Sequence, residues 1–504
     1  VFGLGGGIKA AGTSGGEMAT NGVTLPSGAM LIGDEWVTGS SGGLYEHVYA
    51  HTGQVNATIE MAGALEVDRA VAAAWKAQKQ WMAMSVDVRR DLLIKLADAV
   101  LAHTEELALI NTADYAVPIV GSSVHPAQLE RFLRYYAGYV DKAHGQTAPV
   151  SNFPNDLQLI EREPYGVVGV IVPWNGPLFV IGMNVAPALA AGNAVIIKPP
   201  ELAPLGPLRF GELCLEVGLP PGLVNVLPGG PEGGDALVRH PGVRKIHFTG
   251  GGHTAKMINV AAAENLTPVA TELGGKSPAL VFDDCDLDAT AMTIAFAGPI
   301  GQSGQSCACS SRILVQESIY DDFMARFLGV VQAMPIGDPL NPENMMGPVI
   351  SQQACDRITS AIDQAVDQKY GEVLTGGNRI GGDLKDGFYI EPTVFAGVDN
   401  RSPLATVEHF GPVVSVMRFK DEEEALALAN DTDYGLVAYV ATTNLNRGIR
   451  VTRALEAGTV WVNTIPDIVP QSPYGGYKQS GVGRAGGVEG LHEFQQVKTI
   501  RFAL

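Results

Sequence analysis

The sequence is poor in cysteine. Five residues, Cys214, Cys285, Cys307, Cys309 and Cys355, are scattered through 504 positions. Their number is odd, their spacing irregular, and no C-x-x-C pair occurs. That excludes a disulfide framework and gives no support to a zinc site, so no metal is expected. Positive charge is the second shortage. Lys plus Arg number 34 against 53 Asp plus Glu, a formal net charge of −19. A surface this acidic repels phosphate backbones and anionic lipid, so nucleic acid and membranes are not expected as partners. Long apolar runs are missing too: none reaches the length of a membrane span, and no basic-then-apolar leader opens the sequence. A reducing, cytoplasmic location is the resulting expectation.

What is present suits a globular enzyme. The length exceeds what one hydrophobic core usually supports, so two or more domains are expected. The opening residues contain Gly5-Gly6-Gly7-Ile8-Lys9-Ala10, which satisfies G-x-G-x-x-A. Such a fingerprint must follow a strand and open a helix, and nothing strand-like precedes this one. Residues 1–17 are read as a flexible, added extension before Met18 and set aside.

From Val67 to about Thr112 apolar residues recur at three- and four-residue spacing, and "QLERFLRYYAGYVDKA" repeats the pattern: both predict helix. The period then changes. "GVVGVIVPW" (166–174), "NAVIIKPP" (193–200), "GLVNVLPG" (222–229) and "KIHFTG" (245–250) are short β-branched runs ending in Gly or Pro. Helix-length segments separate the first three, which implies crossover units and a parallel sheet covered on both faces. Ligands of such sheets bind beyond the carboxyl ends of the strands, where Trp174, Asn175, Lys198, Thr249 and Gly250 fall. After "ELGGKSPALVFDD" a second α/β region begins, with strand-like "SRILVQ", "PVVSVMRF", "VAYVATT" and "GTVWVN" between helical stretches. The chain reads as two α/β domains in tandem. "LQLIEREPYG" and "FQQVKTIRFAL" look like strands outside both, an exposed edge of the kind a partner subunit covers.

Three residue types suggest chemistry. Cys307 sits in the Gly/Ser-rich "GQSGQSCACSSR", Glu272 precedes two glycines in "TELGGKSP", and Asn175 follows Pro-Trp. Each has a plainer reading: a small buried thiol, a turn carboxylate and a helix cap. Catalysis would need all three together, as nucleophile, base and oxyanion donor.

The segments "PWNGPL", "AGNAVIIKPPE", "IHFTG", "TELGGKSPALVFDDCDLD", "GQSGQSCACSSR", "MGPVIS", "GFYIEPTVF", "EHFGPVV", "NDTDYGLVAYV", "GTVWVN" and "SPYGGYKQSGVGR" follow one another in this order. In that order and content the sequence resembles the NAD(P)-dependent aldehyde dehydrogenase superfamily, in its hydrolytic, non-CoA-acylating branch. The likeness runs from about residue 27 to the C-terminus. It implies two tandem Rossmann-like parallel-sheet domains with a small β flap. The NAD-binding domain would take 24–143 and 166–273, the catalytic domain 274–475, and the oligomerisation strands 144–165 and 491–504 of a homodimer or homotetramer.

The resemblance also implies roles. Cys307 matches the nucleophile of the G-Q-x-C pattern, Glu272 the water-activating base, and Asn175 the oxyanion donor. Cys309 stands where the family usually has alanine. NAD would be held by Ile171, Pro173, Trp174, Lys198, Glu201, Gly230, Thr249, Gly250, Gly251, Leu273, Glu408 and Phe410. Glu201 would accept from the ribose hydroxyls and repel a 2′-phosphate, favouring NAD over NADP. The substrate tunnel would be lined by Gly176, Phe179, Met183, Ser306, Ala308, Ile468 and Tyr474. Gly176 replaces what is often a bulky aromatic, so a wider tunnel taking medium-size aliphatic, terpenoid or aromatic aldehydes is expected, with Asp467 as the one nearby charge. The chain departs from the family at Gly251 and Gly252, where a phosphate-binding serine is usual, and at Ala255, usually glycine. It departs again at Asn184 and Ala485, where a lysine and a glutamate usually carry a proposed proton exit. The alternatives are a CoA-acylating dehydrogenase, which generally lacks the base, an amino-aldehyde dehydrogenase, and a crystallin-like non-catalytic protein.

Overall fold

A computed structural model of the protein describes residues 24–143, 145–150 and 152–504. The expected extension over 1–17, with its glycine run, lies outside the described residues. The long helical stretch divides into Ala64–Ala83, Val86–Ala102 and Thr104–Tyr115. Ser85 marks the first division: its hydroxyl accepts from the Val88 N–H and starts a new helix. Val124–Ala137 follows.

Among the described residues the first sheet has eight strands. Val224–Val226, Ala194–Lys198, Val167–Ile171, Lys245–Thr249 and Val269–Glu272 lie side by side and parallel. Numbered along the chain, that spatial order is 3-2-1-4-5, so the winding reverses between Val167–Ile171 and Lys245–Thr249. Such a switch point opens a crevice at the strand ends. Val167–Ile171 and Ala194–Lys198 are buried throughout, as strands covered on both faces must be. Periodicity did not indicate the antiparallel edges, because their strands are two or three residues long. Met30–Ile32 and Glu35–Val37 add to one side, and Gly481–Val482 returns from the far end of the chain to pair with Val269–Glu272.

The second sheet has seven strands. Pro278–Val281, Arg312–Gln316, Thr393–Ala396, Val413–Phe419, Val437–Ala441 and Thr459–Val462 are parallel, with Glu372–Thr375 antiparallel at one edge. The two strands expected outside both sheets pair with each other, Leu157–Pro164 against Gln495–Phe502, and Gln146–Ala148 joins them. The α/β class and tandem parallel sheets expected from the sequence are therefore present. Among the described residues no helix is long and apolar enough to cross a membrane.

The helix Pro177–Ala190 starts at the site, and Pro177 in its first turn presets the backbone for helix. Its far end is tied to the helix Ala64–Ala83 by Trp81, which is fully buried and donates from Nε1 to the Leu189 carbonyl at 3.0 Å. Trp81→Ala removes that packing and its hydrogen bond, although the Leu189 carbonyl still accepts from Gly192 N at 3.0 Å. Denaturant unfolding should show a loss of about 3–5 kcal/mol. A loss below about 1 kcal/mol would mean that this contact does not anchor the helix.

Candidate active site

The crevice at the switch point is a cleft of about 910 Å³. Ile171, Pro173, Trp174, Lys198, Glu201, Gly230, Thr249, Gly250, Gly251, Leu273, Glu408 and Phe410 all line it. Asn175, Glu272 and Cys307 line the same cleft, although they come from three distant segments. Asn175 follows the strand Val167–Ile171, Glu272 ends the strand Val269–Glu272, and Cys307 precedes the strand Arg312–Gln316.

The approach to Cys307 is built on unusual backbone. Gln302, Ser303 and Gly304 have φ of 50°, 56° and 69°, a left-handed run that non-glycine residues adopt at a cost. Only glycine fits at 304, where a Cβ would lie 2.1 Å from the Gly411 carbonyl oxygen. Side chains pin the loop. Ser303 Oγ donates to Gly347 O at 2.7 Å, Gln305 Oε1 accepts from Ile350 N at 2.8 Å, and Gln305 Nε2 donates to Gln302 O at 3.1 Å. Two bonds tie the loop to the Asn175 segment: Asn175 Nδ2 donates to Gln305 O at 2.9 Å, and Gln302 Nε2 donates to Asn175 O at 3.2 Å. The first uses one of the two amide hydrogens of Asn175 and leaves the other for a ligand.

The two neighbouring thiols differ. Cys307 keeps part of its surface open, whereas Cys309 is buried with its Sγ donating to Gly298 O at 3.4 Å. Burial pushes the Cys307 thiol up to about 11, opposed by Tyr474, whose Oη lies 3.8 Å from Sγ. Between them Ala308 O accepts from Tyr439 Oη at 2.7 Å, and the Ser306 hydroxyl accepts from Ala308 N at 3.2 Å.

Glu272 is buried, and neither carboxyl oxygen has a protein hydrogen-bond partner. Desolvation holds its pKa well above the usual carboxylate range; Arg484 opposes the shift and Glu493 adds to it. Glu493 in turn pairs with Lys245 at 2.8 Å. Neither Asn184 nor Ala485 can carry a proton here. Asn184 is buried with Nδ2 on Val180 O at 3.1 Å, and Ala485 pairs through its backbone with Tyr474.

The cleft fits a dinucleotide. Thr249 Oγ1 is buried without a partner, and the helix Gly252–Ala262 begins at Gly251 with no side-chain cap. Space is open at the Cβ positions of Gly251 and Gly252, and Gly251 lines the cleft, so the start of this helix is accessible there and its free N–H groups suit a phosphate. The missing serine therefore leaves a backbone cradle in its place. Lys198 is buried, which lowers it to about 8, with Glu201 as the opposing charge. Glu408 accepts from Gly275 N at 2.9 Å and packs so closely that a Cβ on Gly274 would overlap it; burial raises it to about 7. Phe410, itself at φ 50°, meets Trp174 edge-on at 5.3 Å.

None of the residues expected to line the tunnel lies in this cleft. Phe179 and Ile468 pack partly buried against the main core, Met183 and Tyr474 are buried, and Asp467 is exposed. A Cβ on Gly176 would stand 3.4 Å from Cε1 of His125, so the missing side chain leaves the glycine facing an imidazole. His125 carried no signal in the sequence, being one histidine in a helical stretch whose neighbour is set by tertiary packing. Gln302 and Gln305 carried one, the repeated G-Q-S ahead of Cys307.

The aldehyde dehydrogenase family model matches residues 36–500. An aldehyde dehydrogenase of Emericella nidulans is 42% identical over 479 residues, covering 94% of this chain and 95% of its own length. Retinal dehydrogenase 2 of Gallus gallus is 40% identical over 477 residues, covering 94% and 91%. The crystal structure of betaine aldehyde dehydrogenase from Staphylococcus aureus in complex with NAD+ superposes with a TM-score of 0.92 at 36% identity, covering 95% of each chain. The chain belongs to the aldehyde dehydrogenase family and is an NAD-dependent enzyme of it.

Proposed function

We propose that the protein oxidises medium-size apolar aldehydes to carboxylic acids through a covalent intermediate on Cys307, with Glu272 as base and Asn175 as oxyanion donor. The observation that carries this reading is the convergence of an accessible thiol, an unpartnered buried carboxyl and a pinned amide on one cleft. Cys307, ionised, attacks the aldehyde carbon, and the carbonyl π pair moves to oxygen. The free N–H of Asn175 Nδ2 and the Cys307 backbone N–H hold that oxyanion. NAD, which Lys198, Glu201, Glu408 and Phe410 would help to hold in the cleft, would supply the acceptor for the hydride that leaves the former aldehyde carbon. As the oxyanion pair returns, the carbon is left as a thioester on Cys307. Glu272 takes a proton from water, whose oxygen attacks the thioester, and the thiolate leaves. The presence of this base speaks against transfer of the acyl group to coenzyme A. The intact thiol, carboxyl and amide speak against a non-catalytic role.

Among the relatives are a retinal and a betaine aldehyde dehydrogenase, one acting on an apolar molecule and one on a cation. For this chain the expected tunnel residues Phe179, Met183, Ile468 and Tyr474 favour the apolar kind, and Asp467, the charge beside Ile468 in the sequence, is exposed. Each buried methylene of substrate would contribute about 0.8 kcal/mol. The cysteine-poor composition supports a cytoplasmic location, and the strand pair Leu157–Pro164 with Gln495–Phe502, outside both large sheets, supports a homodimer or homotetramer in which another copy covers its edge.

Three experiments test the reading. Cys307→Ala should abolish NADH formation while Cys309→Ala keeps most of it; the reverse would move the nucleophile to Cys309. Glu272→Gln should give one burst of NADH and then turnover slowed about 10²–10⁴-fold. In the unmodified enzyme, Glu272 acts as base only when ionised. Since burial raises its pKa, thioester hydrolysis should increase with pH along a curve lying above the ordinary carboxylate range, and the variant should lose that rise. Slow turnover without a burst would place Glu272 in the first half-reaction. Finally, kcat/KM for hexanal to decanal and benzaldehyde should exceed that for acetaldehyde, betaine aldehyde and 3-aminopropanal. Preference for either cation would overturn the apolar assignment.

A further inference from the structure

Gly176 leaves room beside Asn175, and His125 from the helix Val124–Ala137 takes it. The imidazole is stacked between Tyr115, 6.1 Å away at 15°, and Phe179, 6.3 Å away at 28°. Its Nδ1 is 2.6 Å from Tyr115 Oη and its Nε2 is 3.2 Å from Gln302 Nε2. The Gln302 orientation is fixed by chemistry: the same nitrogen donates to the Asn175 carbonyl at 3.2 Å, where an amide oxygen would meet another acceptor. His125 Nε2 must therefore accept, and its one proton sits on Nδ1, donating to Tyr115. Only the neutral ring can do this, and burial, which pushes His125 down to about 4, keeps it neutral.

Gln302 is also the first residue of the left-handed run before Cys307. A ring acceptor on one side and the Asn175 carbonyl on the other hold its amide, so oxyanion segment and nucleophile loop share one anchor. We propose that His125 is a positioning residue for aldehyde oxidation: through Gln302 it fixes the Asn175 backbone against the loop that carries Cys307. The inference rests on the roles proposed above for Asn175 and Cys307. His125 touches neither substrate nor cofactor in it.

The test uses His125→Leu, which keeps bulk without an acceptor, and His125→Gln, whose Oε1 reaches the place of Nε2. The readouts are the rate of the first NADH burst at saturating NAD and hexanal, KM for hexanal, NAD affinity by tryptophan fluorescence, and melting temperature. His125→Leu should slow the burst about 10–100-fold, leave NAD affinity within about twofold, and change KM much less than the burst. His125→Gln should recover most of the rate. Gln302→Leu should match His125→Leu, and the double variant should be little slower than either, as for residues acting through one contact. A burst in His125→Leu within about twofold of the unmodified enzyme overturns the proposal, as does an equal loss in the Leu and Gln variants accompanied by an equal fall in melting temperature. Failure of the unmodified enzyme to form NADH from hexanal, or a Cys307→Ala variant that still forms it, instead refutes the underlying assignment of the site.

Discussion

Just before Cys307 the backbone runs through three successive left-handed residues, Gln302, Ser303 and Gly304. For the two that are not glycine this costs about 1–3 kcal/mol each, and the loop has no ladder to hold it. Its conformation is sustained from outside, by Gly347, Ile350, Asn175 and His125 acting on the side chains of Ser303, Gln305 and Gln302. The donors and acceptors come from both large sheets' surroundings: Asn175 follows a strand of the first, and Cys307 leads into a strand of the second. Strain at this point is the means by which two separately built halves present thiol and amide to one space.

The second constraint is loss of water. The thiol of Cys307 is pushed up to about 11 and the carboxyl of Glu272 well above its usual range, both chiefly by burial. Without a ligand, then, burial favours the protonated form of both potential reactants. A cation brought into the cleft would favour both ionised forms, because low-dielectric surroundings strengthen its attraction for each. The oxidised nicotinamide is such a cation. With the roles proposed for Cys307 and Glu272, a cofactor in the cleft would be coupled to both groups electrostatically as well as by position.

The parallel strands were legible because buried β-branched runs such as Val167–Ile171 and Ala194–Lys198 leave a clear pattern, and the crevice followed from where they end. The residues that line the cleft were legible through resemblance, since each motif preserves a local backbone shape. What the sequence did not reveal depends on contacts between distant segments. Gly481–Val482 is two residues long and pairs with Val269–Glu272 only after both domains are traversed. Gly176 suggested empty space, but its neighbour His125 lies 51 positions away by number, and only packing puts it there. Asn184 and Ala485 indicated correctly that two ionisable groups are absent; which charges reach Glu272 instead, Arg484 and Glu493, required the fold.

In the proposed role, Cys307 is a thiol quieted by burial that the bound cofactor would make nucleophilic. The direct measurement is the pH dependence of alkylation by iodoacetamide, mapped to individual cysteines by peptide mass spectrometry, with and without NAD. The account predicts labelling at Cys307 ahead of the buried Cys309, with a reactivity curve far above that of an ordinary thiol in the free enzyme and displaced to lower pH when NAD is bound. Labelling of Cys309 first, or a Cys307 curve that NAD leaves unmoved, would contradict it.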